Sequence, residues 1–84
     1  MAEWTRKPQE AEGHHRFRNR LVITAAANRV VSRNELFSLC DQLWQDVETH
    51  GGLDYLQVFT ADDGRVLWVI DDGQCVTWLL PSDY

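Results

Sequence analysis

The sequence predicts a small α+β domain in which one helix packs on an antiparallel sheet, preceded by a flexible N-terminal arm. Three observations carry this prediction: a polar stretch at the start, a capped amphipathic segment in the middle, and three β-rich segments separated by Asp-Gly turns at the end. With 84 residues the chain can bury only one small hydrophobic core. We therefore expect a single domain over residues 17–84 in the order β-α-β-β-β, and an arm over 1–16.

The arm is predicted from composition. Residues 1–16 are mostly polar and contain one proline, one glycine and an isolated Trp4. Such a stretch cannot bury enough apolar area to offset the entropy lost on ordering, so we expect it to be flexible. The pattern changes after Phe17, where residues 20–25 are rich in β-branched residues that alternate between two faces, as in a strand.

The helix has clear start and stop signals. Ser32 and Glu35 have the spacing of a capping box, and Val31 and Leu36 that of a hydrophobic staple. Gly51 supplies a left-handed C-cap, so the helix is predicted over about 33–50. Its apolar stripe contains Leu36, Leu39, Cys40, Leu43, Trp44 and Val47.

The last third predicts a three-stranded meander over 53–61, 65–71 and 74–80. Asp-Gly between apolar strands is a strong signal for a two-residue hairpin turn. Two-residue turns would pair Phe59 with Trp68 in the first hairpin, and Ile70 with Cys75 in the second. In this register Cys75 and the helix residue Cys40 lie on opposite sides of the sheet, so we expect two free thiols, as in a reducing cytoplasm.

Both faces of the predicted sheet are apolar, although a single helix covers only one of them. The face with Leu56, Val58, Thr60, Leu67, Val69, Val76, Trp78 and Leu80 is the expected partner of the helix. The other face needs a cover: the N-terminal segment with Phe17 and Trp4, a second copy of the chain, or a different protein. Since aromatic residues dominate interface hot spots, our candidate partner-binding residues on that face are Tyr55, Phe59, Trp68 and Ile70.

Charge is distributed unevenly along the chain. Residues 1–33 contain seven basic and three acidic residues, a net +4, whereas 34–84 contain one basic and ten acidic residues, a net −9. This excludes a uniformly basic nucleic-acid-binding domain, and the acidic body favours a basic protein partner. The alternative is a nucleic-acid-binding accessory protein that contacts phosphates through Arg16, Arg18 and Arg20. A plain homodimer is the third hypothesis.

No residue pattern indicates catalysis or a cofactor. The acid pairs 62–63 and 71–72 belong to turns at opposite ends of a meander, so they cannot converge on one metal ion. The sequence has no nucleophile motif and no glycine-rich phosphate loop, and we expect no catalytic residue, metal or cofactor. It also lacks a secretion signal and a run of about 20 apolar residues, so we expect a cytoplasmic protein without membrane contact.

Residues 54–59 (D-Y-L-Q-V-F), which follow a helix containing Leu43 and Trp44, resemble the signature stretch of a small family of uncharacterised bacterial and phage proteins. The resemblance covers about residues 36–60. It implies a compact helix-plus-sheet domain of bacterial or mobile-element origin, and no activity is assigned to that family. Together, these observations predict a non-enzymatic binding protein of the adaptor or inhibitor type.

Overall fold

Two helices cover one face of a five-stranded sheet in the computed structural model, which describes residues 2–7 and 13–84. The predicted α+β class is confirmed. The elements are β1 (Trp4–Arg6), β2 (Arg20–Ile23), α1 (Ala25–Val30), α2 (Arg33–His50), β3 (Leu56–Ala61), β4 (Val66–Asp71) and β5 (Cys75–Leu79), followed by a 3-10 turn, Pro81–Asp83. The sheet order is β1-β3-β4-β5-β2, in which β2 runs parallel to β5 and the other neighbours are antiparallel.

Helix α2 begins and ends where its local signals predict. The Ser32 hydroxyl accepts the Glu35 N–H at 3.1 Å, and the Glu35 carboxylate accepts the Ser32 N–H at 3.0 Å. Gly51 ends the helix with φ = 73°. Because the apolar stripe faces the sheet, Leu43 and Val47 are fully buried.

The short helix α1 and the parallel position of β2 were not predicted. The Thr24 hydroxyl caps α1 by accepting the Ala27 N–H at 3.1 Å. The chain then passes over the sheet through both helices to β3, so that β2 and β3 run in the same direction, as strands joined by a helical crossover do. Strand β2 lies beside β5 at one edge and runs parallel to it, because β5 has the same direction as β3, so the sheet is mixed instead of a pure meander.

At the opposite edge, the first strand occupies part of the predicted arm. Trp4–Arg6 pairs with β3, contrary to the expectation of a flexible segment. Its side chains anchor it to α2 through two hydrogen bonds. The Trp4 indole N–H donates to the Glu35 carboxylate at 3.1 Å, and the Arg6 guanidinium donates to the Asp46 carboxylate at 2.7 Å. Residues 1 and 8–12 of the predicted arm lie outside the described residues.

The segment before β2 is also attached to the body. His15 and Leu53 exchange two backbone hydrogen bonds of 2.9 Å. Phe17 is buried with φ = 54°, donates its N–H to the Asp71 carboxylate at 3.0 Å and accepts the Trp44 indole N–H at 2.8 Å. Although burial by itself raises the pKa of Asp71, hydrogen bonds to its carboxylate outweigh burial and the pKa is lowered.

The turn between β3 and β4 differs from the predicted two-residue turn. Gly64 donates its N–H to the Ala61 carbonyl at 3.0 Å, and Ala61 donates to the Arg65 carbonyl at 2.9 Å. These bonds close a three-residue loop with Gly64 at φ = 95°, which is the turn-plus-bulge arrangement of such hairpins. Val58 is consequently opposite Trp68, and the predicted pairing of Phe59 with Trp68 is wrong.

A one-residue shift in register moves every β3 side chain to the other face. Phe59 and Gln57 are buried beneath the helices, whereas Val58 and Leu56 lie on the face that the helices leave open. The buried Gln57 amide is satisfied, because its oxygen accepts from Arg6 at 2.7 Å and its nitrogen donates to a backbone carbonyl at 2.9 Å.

The second hairpin is shifted by two residues. Ile70 pairs with Thr77, and the predicted pairing with Cys75 is wrong. An even shift keeps each side chain on its predicted face, so the faces of β4 and β5 are as expected. The core between the layers contains Phe17, Ala27, Val31, Leu39, Cys40, Leu43, Val47, Leu53, Phe59, Leu67, Val69, Val76 and Trp78.

Candidate interaction surface

The sheet face turned away from the helices, which we call the outer face, is the strongest candidate for a functional surface. It is mostly aliphatic, with one tryptophan near its centre. Strand alternation places Arg20, Val22, Leu56, Val58, Thr60, Val66, Trp68, Ile70, Cys75, Thr77 and Leu79 on it. Most of these side chains are half-buried or exposed, so a row of apolar groups in β3 and β4 is open to contact.

The four predicted partner-binding residues do not share this face. Trp68 and Ile70 lie on it, whereas Phe59 is fully buried and packs against Trp78 with ring centroids 5.7 Å apart. Tyr55 precedes β3 and lies beside His15. The error comes from reading the first turn as two residues, since an Asp-Asp-Gly triplet also fits a three-residue loop with glycine in the left-handed position.

The N-terminal segment does not cover the outer face within the described residues. Trp4 and Phe17 both lie on the helix side, where they bond to α2. Tyr84 does reach the outer face, where its ring packs edge-on against Trp68 with ring centroids 5.6 Å apart. Tyr84 is itself 74% exposed, so this contact leaves much of the face open.

Acidic side chains lie beyond both ends of the strands. Asp62 follows β3 and Asp83 follows β5, which places them at the same end of the sheet, and Asp72 follows β4 at the other end. All three are exposed. The Asp83 carboxylate accepts the Leu80 N–H at 2.9 Å and the Thr24 hydroxyl at 2.8 Å, and these bonds lower its pKa. At neutral pH the apolar face is therefore bordered by negative charge at the end with Asp62 and Asp83, whereas the other end has both Asp72 and Arg20.

The three arginines of the alternative nucleic-acid hypothesis do not form one surface. Arg18 pairs with Glu48 at 3.0 Å and lies over the Trp44 ring at 5.8 Å, on the flank of α2. Arg20 points to the outer face, and Arg16 is exposed in the preceding segment. Neither Arg16 nor Arg20 has an acidic partner within 4.0 Å among residues 2–7 and 13–84.

A second cluster of charged residues joins the first hairpin to α2. The Arg65 guanidinium contacts Glu35 at 2.7 Å and Asp63 at 2.9 Å, and lies over the Trp4 ring at 5.0 Å. This guanidinium, with the Ser32 N–H and the Trp4 indole, holds the pKa of Glu35 far below its usual value. Every one of these charges has a partner, so the cluster positions structural elements and offers no open acid or base.

The two cysteines lie on opposite sides of the sheet, as the sequence predicted. Cys40 is buried in α2, and Cys75 is half-exposed on the outer face. Burial, reinforced by the neighbouring Asp41, raises the pKa of the Cys40 thiol, so that side chain is a structural group in the core.

The acidic residues of the hairpin turns bond to the backbone of those turns. Asp72 accepts the backbone N–H groups of Gln74 and Cys75 at 2.9 and 2.8 Å. Across residues 2–7 and 13–84, no three His, Cys, Asp or Glu side chains are grouped to hold a metal ion. None of the helices in that part of the chain combines the length and apolarity needed to cross a lipid bilayer. Comparisons with protein-family models, curated proteins and solved structures found no match to this chain.

Proposed function

We propose that this protein is a non-enzymatic, cytoplasmic protein-binding module and that its outer face is the interaction surface. The observation that carries the proposal is the open apolar face itself. Helices cover only one side of the sheet, and Val58, Val66, Trp68 and Ile70 remain partly exposed on the other. Contiguous apolar surface of this kind marks interaction sites in monomeric domains.

Trp68 is the expected anchor of the interaction. It lies on the central strand β4, between Val58 on β3 and Leu79 on β5. A tryptophan surrounded by aliphatic side chains can enter a pocket of a partner and exclude water around the contact, as interface hot spots do. Tyr84 packs against its ring and is mostly exposed, so we expect the Tyr84 side chain to move when a partner binds.

The charges at the two ends of the face define the partner. Asp62 and Asp83 border the apolar strip at one end, Asp72 and Arg20 lie at the other, and the chain has a net charge of −5. The matching partner is a protein with an apolar patch flanked by lysine or arginine residues. Charge complementarity of this kind speeds association and makes it sensitive to salt.

The test compares two lysine substitutions in the full chain. Trp68→Lys adds a charge at the centre of the outer face, and Phe37→Lys adds the same charge at an exposed residue of α2, in the other layer. Circular dichroism and urea unfolding first establish that both variants fold. Immobilised wild type and variants are then exposed to a bacterial lysate at low and high salt, and bound proteins are identified by mass spectrometry.

We expect wild type and Phe37→Lys to capture the same basic protein, Trp68→Lys to lose it, and high salt to weaken it. The purified partner should then bind wild type in titration with a Kd at least about tenfold lower than for Trp68→Lys. Equal capture by folded Trp68→Lys would overturn the proposal. Binding of DNA or RNA that is lost with Arg16 and Arg20 would instead support the nucleic-acid hypothesis.

A further inference from the structure

The edge strand β2 has the properties of a self-association site. Leu21 is 45% exposed and Val22 is 38% exposed, on opposite faces of the same strand. Edge strands are often protected from pairing by shortness, charged side chains, proline or a bulge. Strand β2 has four residues and begins with Arg20, but its apolar centre has no charged residue, proline or bulge. The other edge strand, β1, has three residues, and its Trp4 and Arg6 side chains are bonded to α2.

The hydrogen bond at the end of β2 shows which backbone groups are unpaired. Thr24 donates its N–H to the Trp78 carbonyl of β5 at 3.0 Å. Backbone polar groups of successive strand residues point to alternate sides, so the N–H and C=O groups of Val22 also point to β5. Those of Leu21 and Ile23 therefore point to the open edge, and no side chain of residues 2–7 and 13–84 bonds to them.

We propose that two copies of this chain associate through antiparallel pairing of their β2 strands, with the two-fold axis at Val22. In this register Leu21 of each copy is opposite Ile23 of the other. The four outward N–H groups and four outward C=O groups then form four hydrogen bonds, and the two Val22 side chains make the close contact of a non-hydrogen-bonded pair. The result is a continuous ten-stranded sheet with all helices on one side.

Charge complementarity identifies the occupant as a second copy instead of an unrelated strand. Arg20 lies on the outer side of β2, and the proposed register places it opposite Thr24 of the other copy, the extended residue that follows β2 and caps α1. The Thr24 hydroxyl donates a hydrogen bond of 2.8 Å to the Asp83 carboxylate. Each Arg20, which has no acidic neighbour within 4.0 Å in the described chain, therefore meets the second copy's Asp83, and symmetry makes two such ion pairs.

This inference does not rest on the proposed function, although it pairs Asp83, one of the acids at the end of the outer face, with Arg20 of the second copy. Trp68 lies on β4, two strands away from β2, so the outer faces of both copies remain open in the dimer. Pairing would join the two faces side by side and double the surface offered to a partner. The contact itself is small compared with the roughly 1,600 Å² buried in typical stable complexes. We therefore expect a weak dimer whose population rises with protein concentration.

The test is sedimentation equilibrium of the full chain from about 5 to 500 μM, a range suited to a small interface. The wild type should approach twice the 9.8 kDa chain mass at the top of this range. Leu21→Pro removes an outward N–H and leaves the bonds to β5 in place, because proline is accepted at an edge position whose N–H faces solvent. Val22→Lys places two positive charges together at the axis.

Each of these variants should raise the dimer Kd at least about tenfold, and Arg20→Glu should raise it as well by repulsion from Asp83. Thr60→Lys, at an exposed residue of β3, is the matched control and should leave the Kd unchanged. Circular dichroism establishes that each variant folds. If Leu21→Pro does not fold, the dimer Kd of Arg20→Glu still tests the inference.

Three outcomes would overturn the inference. The first is a wild type that stays monomeric throughout the range. The second is a dimer whose Kd is unmoved by the folded β2 variants. The third is a dimer that is lost with Trp68→Lys but not with Val22→Lys, since the outer faces would then form the contact.

Discussion

The register of the first hairpin can be measured with two neighbouring residues. Phe59 is fully buried against Trp78, and Val58 lies on the outer face. The two-residue turn predicted from sequence would exchange these environments. Phe59→Ala, Phe59→Leu and Val58→Ala therefore distinguish the two registers through their effects on the free energy of unfolding.

Removing the buried ring should be costly. Phenylalanine to alanine in a core costs about 3–5 kcal/mol, because it combines lost burial with a cavity. At about 0.05–0.15 kcal/mol per residue, an 84-residue domain has a total stability of roughly 4–13 kcal/mol, so this variant loses a large part of it. Phe59→Leu keeps most of the volume and should cost about 1 kcal/mol. Val58→Ala removes half-exposed methyl groups and should cost below about 1 kcal/mol.

The assay is urea unfolding followed by circular dichroism, with thermal melts as a second measure. For a domain of this size each 1 kcal/mol corresponds to about 4–8 °C in Tm. Phe59→Leu remains measurable if Phe59→Ala fails to fold. A loss of more than about 1.5 kcal/mol for Val58→Ala, with none for Phe59→Leu, would show that Val58 is the buried residue and refute the register described here.

Three other local features can each be checked with single substitutions. The pKa of Glu35 is lowered by folding, so its stabilising effect is complete above the ordinary value of 4.5 and declines as the pH falls below it. Glu35→Gln should therefore lose less unfolding free energy than wild type between pH 7 and pH 3. Gly52→Ala should destabilise more than Gly64→Ala: both have positive φ, but a Cβ at Gly52 would lie 2.8 Å from a backbone carbonyl. Cys75 should react with a water-soluble thiol reagent well before the buried Cys40, and Cys75→Ser should abolish the fast phase.

Each of these expectations has a contrary result. Parallel pH profiles for wild type and Glu35→Gln would mean that the ion pair contributes nothing to acid sensitivity. Equal losses for the two glycine variants would show that the close approach of the backbone segments at Gly52 relaxes at no cost. A fast thiol phase that survives in Cys75→Ser would place Cys40 at the surface.

Local signals in the sequence predicted α2 well. Ser32, Glu35 and Gly51 are within four positions of the groups they cap, so their bonds depend on nearby residues alone. The faces of β4 and β5 were also predicted correctly, because alternation survives a register shift of two residues. By contrast, α1 has only six residues and its Thr24 cap gave no pattern long enough to distinguish it from a loop.

The candidate surface was predicted only in part. Trp68 and Ile70 lie on the outer face as expected, whereas Phe59 does not, because the side chains of β3 depend on whether one turn has two residues or three. The first strand was missed for a different reason. Trp4 and Arg6 are ordered by Glu35 and Asp46, which are 31 and 40 residues away in the chain.

The sequence by itself determined the elements whose stabilising groups are close along the chain: the capped helix, the presence of two hairpins and the apolar character of the sheet. Only the tertiary structure decided which face β3 presents, that β2 becomes an exposed edge beside β5, and that the N-terminal strand joins the sheet. These features depend on contacts between distant residues and on the geometry of a single glycine, Gly64. Such contacts form only when the chain is folded, so short-range patterns do not encode them.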